Sequence, residues 1–190
     1  MQRISLVNSA HHFIKEHLQS GDIAIDATVG NGHDTLFLAQ QVGALGLVFG
    51  FDIQPAAIDA TREKFRLAGI DNLTLIQDSH ATMSNQIPQS YHGKINTIMF
   101  NLGYLPGGNK TIITRSDSTL VALTSACQLL SNQGIITVMA YPGHTGGDLE
   151  TDSVNTWCEH LDKQQFTCHQ VPNPEDKPSA PKLFIVQKHT

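Results

Sequence analysis

Apolar residues along this chain follow two kinds of spacing. Short continuous apolar runs are typical of buried parallel strands, and apolar residues three or four positions apart are typical of amphipathic helices. On this criterion the sequence predicts strands at residues 23–27, 46–51, 73–76, 95–100, 135–140, 166–171 and 183–187. It predicts helices at residues 9–19, 34–42, 55–67, 118–130 and 148–161, with a turn at 131–134 after the fourth helix.

The order of these elements predicts the fold. Alternating strands and helices form a mostly parallel α/β sheet with helices on both faces. The last two predicted strands are joined only by the proline-rich loop 172–181, which is too short for a parallel crossover, so we expect them to pair as an antiparallel hairpin. No internal repeat or linker divides the sequence, and we expect a single domain over residues 1–190.

Composition narrows the class of protein. Hydrophobic residues make up 40% of the 190 positions and charged residues 15%, which is an ordinary globular balance. No apolar run reaches the ~18 residues of a transmembrane helix, and the first residues lack the apolar stretch of a signal peptide. We therefore expect a soluble, cytoplasmic protein that does not contact a membrane.

Cysteine and histidine are scattered rather than clustered. Cys127, Cys158 and Cys168 form no C-x-x-C pair, which argues against a disulfide framework and against a structural zinc site. The 10 histidines show no H-E-x-x-H or comparable spacing. We expect reduced cysteines and no bound metal.

Net charge limits how a nucleic acid would be bound. The formal net charge is −5, which is the wrong sign for holding nucleic acid by bulk electrostatics. A nucleic-acid substrate would therefore need positive charge concentrated near the site and a small contact area.

The turn after the first predicted strand is the first candidate ligand site. It runs from Asp26 through Gly30 to Gly32, and glycine allows a backbone to bend tightly and to approach a ligand closely. In open α/β sheets, ligands bind beyond the carboxyl ends of the strands. Thr35 stands where a dinucleotide-binding turn has its third glycine, so this turn alone is a weak signal.

Acidic residues follow the next two predicted strands. Asp52 lies about twenty residues beyond Gly32, where a carboxylate accepts hydrogen bonds from ribose hydroxyls. It would equally serve as a cap for the helix that begins near Pro55, and Gln54 is placed to reach an adenosine. Asp78 follows the third strand, where a carboxylate can accept a bond from the adenine amine. NAD matches the first two features, whereas the third favours S-adenosylmethionine.

The loop after the fourth predicted strand is the most informative segment. Its sequence is Asn-Leu-Gly-Tyr-Leu-Pro-Gly-Gly over residues 101–108. Methyltransferases that act on amino groups often carry an Asn/Asp-Pro-Pro-Tyr/Phe loop here, in which a side-chain oxygen and a backbone carbonyl hold the amine. The loop is similar but has Leu102 and Gly103 in place of the two prolines, which weakens an analogy with DNA amino-methyltransferases.

Taken together, these motifs resemble one bacterial family. They are the 101–108 loop with Asp26-Ala27-Thr28-Val29-Gly30-Asn31-Gly32-His33-Asp34-Thr35, Asp52-Ile53-Gln54, Asp78-Ser79-His80 and Ala140-Tyr141-Pro142-Gly143-His144. The family was once called putative rRNA methylase, and its characterised members are the MnmM-type tRNA methyltransferases. The resemblance implies a Rossmann-like class I methyltransferase with strand order 3-2-1-4-5-7-6. It also implies S-adenosylmethionine as cofactor and S-adenosylhomocysteine as product.

The resemblance further implies a reaction. It is methylation of the 5-aminomethyl group of 5-aminomethyl-2-thiouridine at the tRNA wobble position, which gives 5-methylaminomethyl-2-thiouridine. We expect the RNA to be held mainly at the anticodon loop, by one chain or by a homodimer. Two alternatives stay open: a methyltransferase that acts on rRNA, a protein or a small amine, and a non-catalytic Rossmann module that binds a nucleotide.

The motifs supply three groups of candidate site residues. The expected cofactor contacts are Asp26, Gly30, Asn31, Gly32, His33, Asp34, Thr35, Asp52, Ile53, Gln54, Asp78, Ser79, His80 and Asn101. The expected catalytic residues are Asn101, Leu102 and Tyr104, of which the Asn101 Oδ1 atom and the Leu102 carbonyl would orient the amine. The expected substrate contacts are Tyr104, Lys110, Arg115, Tyr141 and His144.

Several of these residues have a second interpretation. Asp34 is expected near the methionine end of the cofactor, at a helix N-terminus, but it would also serve as a helix cap alone. Asn101 could be an ordinary turn residue. Either His80 or His144 could take up the surplus proton of the reaction. We favour a cofactor contact for His80 and leave the role of His144 open.

Overall fold

The computed structural model describes residues 5–108, 111–173, 175 and 177–189. Its helices are α1 (Leu6–His17), α2 (His33–Val42), α3 (Pro55–Ala68), α4 (Met83–Gln86), α5 (Ser116–Leu129) and α6 (Gly147–Glu159). Its strands are β1 (Ile23–Asp26), β2 (Leu47–Phe51), β3 (Leu73–Ile76), β4 (Ile95–Asn101), β5 (Leu130–Ala140), β6 (Phe166–Val171) and β7 (Lys182–Lys188).

The strands form one sheet in the order β3-β2-β1-β4-β5-β7-β6. The first five strands pair in parallel, and β7 is antiparallel to both of its neighbours. The predicted strand order and the antiparallel hairpin are therefore confirmed. β1 and β4 are neighbours at the centre, where the winding of the sheet reverses, and their carboxyl ends open a crevice of the kind that binds ligands.

Both faces of the sheet are covered by helices. α1, α2 and α3 pack on one face through apolar residues such as Ile14, Leu38 and Phe65. α4, α5 and α6 pack on the other face through residues such as Leu123 and Val154. Because both faces are buried, the central strands are almost continuously apolar, and for that reason their positions could be predicted from the sequence.

The predicted turn at residues 131–134 is wrong. Leu130 already pairs with Ile95, so α5 ends directly at β5 and the four residues form an irregular part of that strand. Gln133 adopts a left-handed conformation with φ 61°. Gly134 lies so close to its neighbours that an added Cβ would be 2.9 Å from the Leu130 Cγ. The turn-forming residues therefore make a bulge rather than a loop.

The segment between β3 and β4 contains short elements that hydrophobic spacing does not predict. They are the 3₁₀ turn His80–Thr82, the single-turn helix α4 and the 3₁₀ turn Gln89–Tyr91. They fold the connection against α5 and bring the His80 ring against Phe100 of β4. No helix within the described ranges is long and apolar enough to cross a bilayer. All three cysteines are free thiols.

Candidate functional site

A cavity of about 730 Å³ opens at the carboxyl ends of β1 to β5. Small-molecule sites typically have volumes of ~300–1,000 Å³, so one nucleotide-sized ligand fits. The predicted site residues that line it are Gly30, Asn31, His33, Asp34, Asp52, Ile53, Gln54, Asp78, Ser79, His80, Asn101, Leu102, Tyr104, Arg115, Tyr141 and His144. Lys110 lies outside the described residues.

Asp26 and Thr35 lie beneath the cavity rather than in its wall. Both are fully buried. The Asp26 carboxylate accepts a hydrogen bond from the Thr35 hydroxyl at 2.6 Å and another from the Thr28 backbone N–H at 3.0 Å. Burial nevertheless raises the pKa of Asp26 to about 7. Neither residue lines the cavity, although the motif led us to expect direct contact with the cofactor. Their hydrogen bond instead joins the end of β1 to α2.

The two positions in the turn require glycine for different physical reasons. Gly32 begins α2 with φ 70°, and an added Cβ would lie 2.5 Å from the Thr61 Oγ1 of α3. The lack of a side chain at Gly32 permits close packing of α2 against α3. Gly32 does not line the cavity. Gly30, with φ 52°, faces the cavity, where an added Cβ would first meet the Leu105 side chain at 3.6 Å. Only Gly30 matches the expected close approach to a ligand.

Asp52 lies between the turn after β1 and the start of α3, where either role expected for it remains a prediction. Its carboxylate accepts from the backbone N–H of Gly30 at 2.9 Å and from that of Gln54, before α3, also at 2.9 Å. A carboxylate offers about four acceptor positions, so two backbone bonds leave it able to accept from a diol. Ile53, which is 52% exposed, presents an apolar surface beside it. This corner of the cavity fits a ribose with an attached ring.

The end of β3 adds a second carboxylate and a buried histidine. Asp78 accepts from the Ser79 backbone N–H at 2.7 Å, and this bond holds the pKa of Asp78 below its usual value. His80 Nδ1 lies 3.2 Å from the Ala27 carbonyl oxygen, so Nδ1 carries a proton and donates it. Nε2 is then an acceptor, and it is buried with no partner among the described residues.

Burial favours one of the two roles considered for His80. It lowers the pKa of His80, because the charged form is poorly solvated there. The ring therefore stays neutral near pH 7 and is a poor acceptor for a proton. Its unpartnered Nε2 atom suits a hydrogen-bond donor on a bound ligand, which favours the cofactor contact.

Asn101 ends β4 and lies at the floor of the cavity. Its backbone N–H donates to the Thr28 hydroxyl at 2.7 Å, which fixes the strand end against the turn after β1. Its side-chain Nδ2 donates to the Asp34 carboxylate, also at 2.7 Å. With one N–H engaged in this way, the amide keeps its Oδ1 acceptor and its second N–H for other partners.

The loop after β4 is held by a buried carboxylate that sequence reasoning missed. The Gly103 N–H donates to the Thr114 hydroxyl at 2.7 Å, and Thr114 donates in turn to Glu150 of α6 at 2.7 Å. Thr119 of α5 donates to the other oxygen of Glu150 at 2.7 Å. Glu150 is 2% exposed. The loop is thereby fixed to α5 and α6.

Aromatic and cationic residues surround the opposite side of the cavity. The ring of Tyr104 meets the ring of His144 edge-on, with centroids 5.8 Å apart. Tyr141 lines the cavity, and burial together with the nearby Asp34 carboxylate raises its pKa. Arg115 is exposed, and its Nε atom lies 3.6 Å from the Asp117 Oδ1 atom. These residues line the same cavity, and their contact with a substrate stays a prediction.

Helix α1 also reaches the site, which hydrophobic spacing did not indicate. Val7 lines the cavity, and His11 Nε2 lies 2.7 Å from the Asp34 Oδ1. The sequence placed this helix only as a covering element. Ser179, from the segment before β7, also lines the cavity without having been predicted.

The chain matches one family model over most of its length. Residues 48–187 match the rRNA_methylase model, whose description is "Putative rRNA methylase". The chain is 37% identical to the Arabidopsis thaliana protein named "tRNA (mnm(5)s(2)U34)-methyltransferase, chloroplastic". That alignment covers 94% of this chain and 68% of the plant protein.

Solved structures give the same relationship at the level of the fold. The crystal structure of a protein from Clostridium thermocellum, described as a putative rRNA-methylase, has a TM-score of 0.91 and 38% identity over 99% of this chain and 98% of that one. A putative methyltransferase from Streptococcus mutans, solved in complex with SAH, has a TM-score of 0.84 and 34% identity over 99% of each chain.

Proposed function

This chain belongs to the putative rRNA methylase family of S-adenosylmethionine-dependent methyltransferases, and from that premise we propose that its substrate is tRNA. The proposed reaction methylates the 5-aminomethyl group of 5-aminomethyl-2-thiouridine at the wobble position. The product is 5-methylaminomethyl-2-thiouridine. The name of the plant relative, which refers to the methylated nucleoside at position 34, supports this choice.

The observation that carries the proposal is the orientation of the Asn101 amide. Because Nδ2 donates to Asp34, the Oδ1 atom points away from that carboxylate, and we assign this acceptor to the substrate. An acceptor at this place suits a nucleophile that has an N–H to donate, which an aminomethyl group has. The Leu102 carbonyl is the second acceptor we propose for the same amine, and Leu102 also lines the cavity.

The chemistry of the transfer assigns simple tasks to the protein. S-adenosylmethionine supplies an electrophilic methyl group on a sulfonium. The neutral amine uses its lone pair to form the new C–N bond while the C–S bond breaks, and the resulting ammonium then releases a proton. Asn101 and Leu102 orient the lone pair, and alignment of two bound reactants can lower the barrier by about 7–11 kcal/mol.

Cofactor contacts are proposed for the residues that line the first half of the cavity. Asp52 would accept bonds from the ribose hydroxyls, and Asp78 or His80 would contact the adenine. Gly30, Asn31 and His33 would surround the methionine end, near the N-terminus of α2. Tyr104, Arg115, Tyr141 and His144 would contact the anticodon loop. A single domain, a homodimer and a cytoplasmic location remain predictions.

A direct assay tests the proposed substrate. Purified protein and S-adenosylmethionine are incubated with tRNA that carries 5-aminomethyl-2-thiouridine, and the nucleosides are then analysed by mass spectrometry. We expect gain of one methyl group on that nucleoside and none on the same tRNA without the aminomethyl group. Asn101→Ala should abolish the reaction while SAH affinity stays within a few fold of the wild-type value. Methylation of rRNA or of a free amine, with the tRNA unchanged, would contradict the proposal.

A further inference from the structure

The Asp34 carboxylate joins an N-terminal histidine to the proposed catalytic amide. Its Oδ1 lies 2.7 Å from His11 Nε2, and its Oδ2 lies 2.7 Å from Asn101 Nδ2. His11 belongs to α1, Asp34 to the first turn of α2, and Asn101 to the end of β4. Both side chains of the His11–Asp34 pair are about three-quarters shielded from solvent, at 25% and 22% exposure. The three groups form one continuous chain of hydrogen bonds.

We propose that His11 and Asp34 are positioning residues that orient the Asn101 amide for the methyl transfer. The proposal rests on the function proposed above, because it assigns Oδ1 of Asn101 to the substrate amine. It gives Asp34 a different task from the cofactor contact expected from the sequence. It also brings α1 into the machinery of the site.

The chemistry of the carboxylate fixes the direction of each bond. An ionised carboxylate only accepts hydrogen bonds, so Asn101 must turn its NH₂ group toward Asp34. The two ends of an amide have nearly the same shape, and only their partners decide which way the group points. Turned the other way, the amide would present two N–H donors to the cavity and would compete with the methyl group for the lone pair of the amine.

His11 fixes the carboxylate in turn. Its ring stacks on Phe37 with centroids 3.9 Å apart and an interplanar angle of 11°, so the ring is held by packing as well as by its hydrogen bond. Because it meets an acceptor, Nε2 carries a proton and donates it to Asp34 Oδ1. The second oxygen, Oδ2, is thereby directed at Asn101.

The arrangement makes a specific prediction for Asp34→Asn. Residue 34 would then have one acceptor and one donor, and the Nε2–H tautomer of His11 would bind the acceptor. The new NH₂ group would face Asn101, which could satisfy it only by reversing its own amide. Asp34→Asn should therefore invert Asn101 and lower kcat by about 10- to 100-fold, the range expected for loss of one hydrogen bond to a charged group.

An exchange of the two residues provides the rescue. In the double variant Asp34→Asn with Asn101→Asp, the NH₂ group of residue 34 can donate to one oxygen of residue 101, and the other oxygen can accept from the amine. We expect the double variant to recover at least tenfold in kcat over Asp34→Asn alone. Lack of recovery together with an unchanged Asn101 amide in Asp34→Asn would overturn the proposal.

Variants at His11 separate the hydrogen bond from the packing. His11→Phe keeps an aromatic ring on Phe37 but removes the donor, and should lower kcat by about fivefold to tenfold. His11→Gln keeps an N–H donor and should stay within about threefold of the wild-type rate. His12→Phe, on the same helix and 71% exposed, is the matched control and should have no effect.

Two readouts distinguish positioning from cofactor binding or general stability. SAH affinity, measured by calorimetry, should stay within a few fold in every variant, and the KM for tRNA should change less than kcat. The side-chain NH₂ resonances of Asn101 in ¹H–¹⁵N NMR spectra should show one strongly bonded proton in the wild-type protein and lose it in Asp34→Asn. A tenfold loss of SAH affinity with unchanged Asn101 resonances would assign Asp34 to the cofactor instead.

The two proposals fail in different ways. If wild-type protein does not methylate the aminomethyl tRNA, the proposed substrate is wrong, while the NMR and SAH measurements still test the orientation of Asn101. If the wild-type protein is active and the Asp34 and His11 variants keep their full rate, the substrate stands and the positioning role is refuted.

Discussion

The hydroxyl of Thr114 donates a hydrogen bond to the buried carboxylate of Glu150 over 2.7 Å. Since Thr114 also exchanges backbone and side-chain bonds with Gly103, this contact connects the loop after β4 to α6. The antiparallel bridge between Tyr104 and Ile113 extends the same connection. The loop that carries the proposed catalytic residues therefore depends on a carboxyl group buried in α6.

Replacement of Glu150 should affect both the stability of the protein and the rate of methylation. Glu150→Ala leaves the hydroxyls of Thr114 and Thr119 without their acceptor, at an expected cost of about 2–4 kcal/mol in the free energy of unfolding. Loss of loop anchoring should also lower kcat at temperatures where the variant is folded. Urea unfolding and the tRNA methylation assay measure the two effects. Asp152→Ala, exposed on the same helix, is the control and should change neither. A stable Glu150→Ala variant would contradict the anchoring role.

Asp26 should make the stability of the protein depend on pH. The folded state holds the proton up to about pH 7, whereas the unfolded chain releases it near pH 3.8. The contribution of this group is therefore fully present below pH 3.8 and is lost as the pH rises to about 7, by an amount on the order of 4 kcal/mol. Asp26→Asn cannot ionise, so it should gain stability relative to the wild-type protein between pH 5 and about pH 8.

Denaturant unfolding at a series of pH values measures this difference. Asp59→Asn removes an exposed carboxylate from α3 and serves as the control, with a pH dependence close to that of the wild-type protein. An identical pH slope in Asp26→Asn and in the wild-type protein would mean that Asp26 is ionised in the folded state.

Asp52→Ala should weaken cofactor binding. The change removes the proposed ribose acceptor and the bond that fixes the Gly30 N–H, so SAH affinity should fall by about 10- to 100-fold. Calorimetric titration with SAH measures it, and thermal unfolding of the ligand-free protein reports any loss of the cap on α3. If the variant is less stable but binds SAH with unchanged affinity, Asp52 acts only as a helix cap.

Gly32→Ala should be more destabilising than a left-handed backbone alone explains. A left-handed alanine costs about 1–2 kcal/mol, and at Gly32 its Cβ would also lie 2.5 Å from the Thr61 Oγ1. Gly69 has a similar φ of +65° with nothing within 4 Å, so Gly69→Ala isolates the backbone cost. We expect Gly32→Ala to lose clearly more stability in urea unfolding. Equal losses would mean that α3 moves away without cost.

The order of the sheet could be predicted from the sequence because hydrophobic spacing is a local property. Each central strand is buried on both faces and is therefore a short apolar run, and the glycine turn and the carboxylates follow at the strand ends. The bulge at Gln133 could not be predicted, because a turn-forming residue inside a strand has the same sequence signal as a turn.

The contacts that organise the site join residues distant in sequence. His11 and Asp34 are 23 positions apart, and Asn101 is 67 positions from Asp34. No spacing rule connects residues across such distances, so the partners become visible only when the chain is folded. Residues close together in the sequence can also have different roles. Gly30 and Gly32 belong to one motif, but only Gly30 faces the cavity.

The position of β7 in the sheet bears on how the protein acquires activity as it is synthesised. β7 follows β6 along the chain but lies between β5 and β6. While the ribosome is still making β6, the strand that leads to Tyr141 and His144 has an open edge, whereas β1 to β4 can already pair. A nascent chain would thus pair the strands behind the half of the cavity proposed for the cofactor before the strand that leads to Tyr141 and His144 has both of its neighbours.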